Sequence, residues 1–120
     1  MSPDQTFNAK AFDYYPRLNK VRKYFETHYA RDFSLEDAAE IAGCESKHFG
    51  KYFKGKVGIG FKEWTSRTRI DVAAVMMRLE HQELQDIALA VGYEEYRTFE
   101  RAFKKYTGFT PRQYRKSYDR

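Results

Sequence analysis

Two groups of three basic side chains in this 120-residue sequence share the spacing i, i+4, i+7. The first group is Lys47, Lys51 and Lys54, and the second, 50 residues further on, is Arg97, Arg101 and Lys104. On an α-helix this spacing places three side chains on one face. Lysine and arginine pair with phosphates, and both can donate to guanine O6 and N7 in the DNA major groove. The chemistry that these residues predict is therefore the binding of a polyanion.

The net charge of +5 is distributed unevenly along the chain. Residues 1–45 contain six Lys or Arg against eight Asp or Glu, a net −2, whereas residues 46–120 contain sixteen against nine, a net +7. A strongly basic region favours an anionic partner, but a basic surface that only keeps a protein in solution has the same composition. Charge alone leaves both alternatives open.

Hydrophobic periodicity predicts helices around these basic groups, and no segment alternates with the period of a strand. The predicted helices are one that starts at Pro16, Leu35–Ala42, Ser46–Lys56, Phe61–Glu80, Leu84–Val91, Arg97–Tyr106 and one that starts at Pro111. The sequence thus predicts an all-α fold of about seven helices. We divide it into a tail or linker (1–15), a first helix-turn-helix subdomain (16–60), a long linker helix (61–80) and a second helix-turn-helix subdomain (81–120).

The two basic groups belong to an internal repeat. The identical pairs are Leu35/Leu84, Asp37/Asp86, Ala39/Ala88 and Gly43/Gly92 at an offset of 49, then Phe49/Phe99, Phe53/Phe103 and Gly58/Gly108 at 50. Each copy is a short helix, a turn with glycine and a second helix. The basic spacing repeats in register with the phenylalanines, so each second helix is expected to bury an aromatic face and expose a basic one. A linker helix of ~30 Å could hold the two second helices in successive major-groove segments, which recur every ~34 Å.

From about residue 18 to residue 115 the sequence resembles the DNA-binding domain of AraC-family (AraC/XylS) transcription regulators. The resemblance rests on Ser34–Ala39, on Asp86–Tyr93, on Phe99-x-Arg101-Ala102-Phe103-Lys104-Lys105 and on Gly108-Phe109-Thr110-Pro111-x-x-Tyr114-Arg115. It implies binding of asymmetric double-stranded DNA sites, usually in a transcription activator that contacts RNA polymerase. Most relatives also carry a sensing or dimerisation domain on the N-terminal side. We therefore expect either a stand-alone regulator or part of a longer one whose effector or dimerisation domain lies outside this chain.

The resemblance also implies two sets of contact residues. The predicted base-reading residues are Lys47, His48, Gly50, Lys51, Tyr96, Arg97, Glu100 and Arg101. The predicted phosphate contacts, which set affinity more than sequence choice, are Lys54, Lys104 and Arg112. Gly50 offers no side chain, so the first unit is expected to read fewer bases. Glu100 either accepts a hydrogen bond from cytosine N4 or orients Arg97 or Arg101 through a salt bridge, and the sequence favours the salt bridge slightly.

Other classes of function have no supporting pattern. His28, His48, His81 and Cys44 match no compact metal-ligand spacing, and no catalytic constellation is recognisable, so no metal, cofactor or enzymatic activity is expected. No apolar run approaches the ~20 residues of a membrane span, and a single cysteine suits a reducing compartment. We expect a soluble bacterial protein of the cytoplasm, associated with the nucleoid. A helical module that binds an acidic protein or RNA is the alternative.

Overall fold

The computed structural model describes residues 7–79 and 81–118. These ranges contain eight helices and no strand, which confirms the predicted all-α fold. The helices are α1 (Ala11–Tyr14), α2 (Pro16–His28), α3 (Leu35–Ala42), α4 (Ser46–Val57), α5 (Phe61–Leu79), α6 (Leu84–Ala90), α7 (Tyr96–Thr107) and α8 (Pro111–Tyr118). Glu80, the expected last residue of the linker helix, lies outside the described residues.

The chain divides into two compact units within helix α5. We call residues 7–65 the N-terminal unit and the described residues from 66 to 118 the C-terminal unit. Each unit contains one helix-turn-helix pair, α3 with α4 and α6 with α7. None of the helices in the described ranges combines the length and the apolar character that crossing a membrane requires.

Aromatic rings form the core of the N-terminal unit. Its buried rings are Phe12, Phe25, Phe33, Phe49, Phe53, Phe61 and Trp64. The Phe53 ring centroid lies 5.5–5.9 Å from the centroids of four other rings of this set. Large rings bury much apolar area per residue, and this is how so small a unit excludes enough surface from water to be stable.

Residues 7–15 differ from the predicted tail or linker. Ala11–Tyr14 form the one-turn helix α1, and the Phe12 ring is buried and stacks on Trp64 with centroids 4.9 Å apart. The backbone N–H of Asn8 donates to the carbonyl oxygen of Val57, the last residue of α4, at 2.7 Å. Four residues are too few to show a helical period, which is why the sequence pattern misses α1. Residues 1–6 of the predicted tail lie outside the described residues.

Helix α3 begins and ends where its sequence predicts. The Ser34 hydroxyl accepts from the backbone N–H of Asp37 at 3.0 Å, and the Asp37 carboxylate accepts from the N–H of Ser34 at 3.1 Å. This reciprocal pair is a capping box, which satisfies two donors at the start of the helix. At the other end Gly43 has φ 76°, a conformation that favours glycine and ends the helix.

The C-terminal unit has a smaller and mostly aliphatic core. Its buried apolar residues include Ile70, Ala73, Met77, Ile87, Ala88, Val91, Phe99 and Phe103. Helix α8 is held on this core by two contacts of Tyr114. The Tyr114 ring packs on Phe103 with centroids 5.2 Å apart, and the Tyr114 hydroxyl accepts a hydrogen bond from Arg78 of α5 at 2.6 Å.

Candidate nucleic-acid interface

Helix α4 separates an apolar face from a basic face. Phe49, Phe53 and Val57 are fully buried. The side chains of Lys47, His48, Lys51 and Lys54, all predicted DNA contacts, are exposed. Because Phe49 and Phe53 anchor one face in the core, the three lysines project together from the other, as the repeat predicts.

Gly50 lies on the flank of α4 that faces α3. A Cβ atom at this position would come within 3.3 Å of Leu35 Cδ2. That distance is shorter than an ordinary van der Waals contact, so the glycine lets α3 and α4 approach closely. The structure shows a packing role for Gly50, and only its backbone could contribute to the base reading that the sequence predicts.

Helix α7 repeats the arrangement of α4, with arginine in place of lysine at two of the three basic positions. Phe99 and Phe103 are fully buried. Its basic side chains Arg97, Arg101 and Lys104 are exposed. The two remaining predicted base readers on this helix, Tyr96 and Glu100, are half-buried.

Glu100 lies beside Tyr96 and acts on its hydroxyl through its negative charge. Burial raises the pKa of the Tyr96 hydroxyl, and the negative charge of Glu100 raises it further, against the opposing effect of Arg112 and Arg115. Tyr96 is therefore a neutral phenol at neutral pH, able to donate and accept. Within the described residues Glu100 forms no salt bridge with Arg97 or with Arg101. The salt bridge that the sequence favoured for Glu100 is thus absent from this part of the chain.

Arg112 projects from the first turn of α8, which is fixed by a capping box. The N–H of Thr110 donates to Gln113 Oε1 at 2.9 Å, and the N–H of Gln113 donates to Thr110 Oγ1 at 3.1 Å. The spacing Thr-x-x-Gln is a known sequence signal for such a cap. Because both ends of the cap are satisfied, the backbone that carries Arg112 is held in place.

Arg112 and Arg115 line a pocket of about 370 Å³ between the starts of α6 and α8. The other lining residues are Glu83, Leu84, Gln85 and Tyr96. Arg115 Nη1 donates to the carbonyl oxygen of Gln82 at 2.6 Å, and its buried Nη2 has no hydrogen-bond partner among the described residues. The prediction from the sequence includes Arg112 but misses Arg115, because nothing in the sequence indicates that α8 meets the segment before α6.

Each unit exposes one helical face of long cations. Helical faces of this kind suit a partner with repeating negative charge. Two helix-turn-helix pairs with basic second helices define a protein of the helix-turn-helix DNA-binding class. A family model described as "Helix-turn-helix domain" matches residues 38–117. The chain belongs to this family, of the AraC type, so the family resemblance is confirmed.

The chain is 35% identical over 99 residues to an uncharacterized HTH-type transcriptional regulator of Staphylococcus aureus (strain MSSA476), a match that covers 82% of the chain. The chain spans only 13% of the length of that relative.

Solved structures share the fold. A transcriptional regulator from Chromobacterium violaceum, with an AraC-type DNA-binding domain, superposes with a TM-score of 0.81 at 20% identity, over 88% of this chain and 94% of that one. The DNA-binding domain of AdpA, a global transcriptional factor crystallised with a target DNA, gives a TM-score of 0.78 at 20% identity, over 83% and 90%. The chain thus has the fold of AraC-type DNA-binding domains.

Proposed function

We propose that this chain binds double-stranded DNA sequence-specifically and regulates transcription, with α4 and α7 in neighbouring major-groove segments. One observation carries the proposal: the exposed basic face of α4 recurs on α7, in register with the buried phenylalanines. A basic surface selected only for solubility has no reason to repeat in register with a core. The match to a family of transcription-regulator DNA-binding domains supports the same function.

The basic residues divide by the contact that their chemistry suits. Arg97 and Arg101 carry planar guanidiniums that fit guanine O6 and N7 with two hydrogen bonds, while Lys47 and Lys51 approach bases as single charges. His48, Tyr96 and Glu100 complete the proposed base-reading set. Lys54, Lys104 and Arg112 lie at positions suited to phosphates, and Arg115 adds a guanidinium beside Arg112. On this proposal the first set determines which sites are chosen and the second determines how tightly any duplex is held.

The regulatory consequence is proposed from the family resemblance. We propose activation of transcription by contact with RNA polymerase, and an effector-binding or dimerisation domain supplied outside this chain. A reporter gene downstream of a selected binding site tests the direction of regulation. Higher expression in the presence of the protein supports activation, and lower expression identifies a repressor.

A salt titration with duplex DNA tests the binding itself. The logarithm of the affinity should fall linearly with the logarithm of the salt concentration, with a slope of about −0.9 per phosphate contact. Lys104→Ala should reduce this slope by about 0.9 and weaken all sequences alike. Lys23→Ala removes an equal charge from an exposed position of α2 and is the matched control, with an unchanged slope expected. Absence of duplex binding at low salt, with binding to single-stranded RNA instead, would establish the RNA-binding alternative.

A further inference from the structure

Glu100 is the single acidic residue of α7 and is half-buried. It lies next to Arg101 in the sequence and one helical turn after Tyr96, on the edge of the exposed basic face. Within the described ranges it forms no salt bridge with either arginine of that face. A carboxylate on a helix that faces phosphates is electrostatically unfavourable unless it accepts a hydrogen bond from the ligand. The ligand is therefore expected to supply a donor at this point.

The major groove offers such donors on two bases only. Cytosine presents its N4 amino group, and adenine presents its N6 amino group beside the N7 acceptor, whereas guanine and thymine present acceptors. A carboxylate accepts hydrogen bonds but cannot donate them, so the acceptor N7 of adenine would repel a carboxylate oxygen. Cytosine has no such acceptor beside its N4 amino group. Cytosine is thus the base whose groove edge best fits Glu100.

We infer that Glu100 is a specificity-determining residue and that α7 selects a subsite rich in C·G pairs. In this subsite Glu100 accepts from cytosine N4, and Arg97 and Arg101 donate to guanine O6 and N7 of neighbouring pairs. This inference rests on the DNA binding proposed above. The repeat contains an internal contrast, because the residue aligned with Glu100 is Gly50, which has no acceptor side chain. Helix α4 is therefore expected to impose no equivalent cytosine preference.

Selection from a randomised duplex library tests the inference on the full chain. The wild-type protein should enrich sites with at least one invariant C·G pair whose identity depends on Glu100. Glu100→Gln carries an amide that pairs with adenine N6 and N7, so that one position should change to A·T. The ratio of affinities for the C·G and A·T versions of the selected site should shift by about 10-fold or more. Glu100→Ala should leave the position without a preference.

Glu94→Gln is the matched control, because it removes one negative charge from an exposed position just before α7. It should strengthen binding to all duplexes alike and leave the selected sequence unchanged. Circular dichroism and thermal unfolding establish that each variant is folded. If Glu100→Gln behaves as Glu94→Gln does, the inference is wrong while the proposed DNA binding stands. If the wild-type protein enriches no duplex at all, the proposed function itself fails.

Discussion

The two helix-turn-helix units share a repeat but differ in the residues at their exposed faces. Helix α4 combines Lys47 and Lys51 with two glycines, Gly50 and Gly55, whereas the sequence of α7 has arginines and no glycine. A lysine ammonium is a compact charge that can contact a base in many geometries, whereas the paired donors of a planar arginine guanidinium fit one geometry best. We therefore expect the C-terminal unit to specify more of the DNA sequence and the N-terminal unit to contribute more unspecific charge.

The cores of the two units also differ, because the N-terminal unit has the larger and more aromatic core. In the N-terminal unit Phe53 lies near four other rings, including Phe12 from a segment outside the family match. Among the described residues its counterpart Phe103 lies near two rings, Phe99 and Tyr114. A position that both copies of the repeat share can thus have different neighbours in each copy, because Phe12 comes from α1, which lies outside the repeated segments.

The largest expected effect tests this difference in the cores. Phe53→Ala should lower the free energy of unfolding by about 3–5 kcal/mol, since it removes a fully buried ring and leaves a cavity. Phe103→Ala should cost less, because each aromatic pair adds about 0.5–1.5 kcal/mol beyond the area buried. Urea unfolding followed by circular dichroism measures both losses. The fluorescence of Trp64, the single tryptophan, reports on the N-terminal unit.

Phe53→Leu is the milder companion variant if Phe53→Ala does not fold. It fills most of the space but removes the ring pairs, so its loss should still exceed that of Phe103→Leu. Equal losses for the two positions would show that the additional rings around Phe53 contribute nothing.

The next effect concerns the chemical difference between the two basic faces. Arg97→Lys keeps the charge but removes the paired donors, so it should weaken base preference at one position by roughly 1–3 kcal/mol. Lys47→Arg keeps the charge in the N-terminal unit and should leave existing preferences intact. Competition binding with single-base variants of a selected site measures both. Loss of preference in Lys47→Arg but not in Arg97→Lys would reverse the proposed division between the units.

Most of the fold follows from local signals in the sequence. Ser34 with Asp37 and Gly43 mark both ends of α3 correctly, because capping is decided within a few residues of the helix end. The repeat also predicts the buried and exposed faces of α4 and α7. Helix α1 could not be predicted, since a single turn is stabilised by the burial of Phe12 against distant rings and has no period of its own.

The finer features of the site depend on contacts between segments that are distant in sequence. The proximity of Gly50 to Leu35 is set by the distance between α3 and α4, and spacing along the chain does not reveal it. The same holds for Arg115, whose partner Gln82 lies 33 residues away. For Glu100 the sequence offered two nearby arginines and favoured a salt bridge, but side-chain orientation on the helix decides that pairing.

A smaller effect is expected from the N-terminal caps of α3 and α6, the first helices of the two helix-turn-helix pairs. Ser34→Ala should lower the free energy of unfolding by about 1 kcal/mol, because it removes the hydroxyl that accepts from Asp37 N–H. In the C-terminal unit Glu83 occupies the N-cap of α6 without a side-chain cap bond, although Asp86 stands at the matching third position. Glu83→Ser should therefore build the missing capping box and raise stability by up to about 1 kcal/mol.

Thermal unfolding with matched variants separates capping from other effects of these substitutions. Ser34→Thr retains a hydroxyl acceptor and should preserve most of the stability. Glu83→Ala removes the same charge as Glu83→Ser but supplies no acceptor, so only the serine variant should be more stable. Equal stability of these two variants would show that the α6 cap is already satisfied by other means.

The smallest effect concerns the two glycines that distinguish α4 from α7. Gly55→Ala should stabilise the protein by about 0.5–1 kcal/mol, since glycine inside a helix is entropically unfavourable. A Cβ at Gly55 would meet no heavy atom within 4 Å in the described part of the chain. Gly50→Ala gives the same entropic stabilisation of the helix but brings a Cβ to 3.3 Å from Leu35 Cδ2. Its free energy of unfolding should therefore rise less than that of Gly55→Ala. Thermal unfolding of both variants measures the difference.

The same pair of variants bears on how the N-terminal unit holds DNA. If α4 contributes mainly charge, neither substitution alters the lysines, and the salt dependence of duplex binding should stay unchanged in both. A rise in base preference upon Gly50→Ala, without such a rise upon Gly55→Ala, would show that the flank facing Leu35 takes part in base reading. In that case the glycine, and not the lysine chemistry, would limit the specificity of the N-terminal unit.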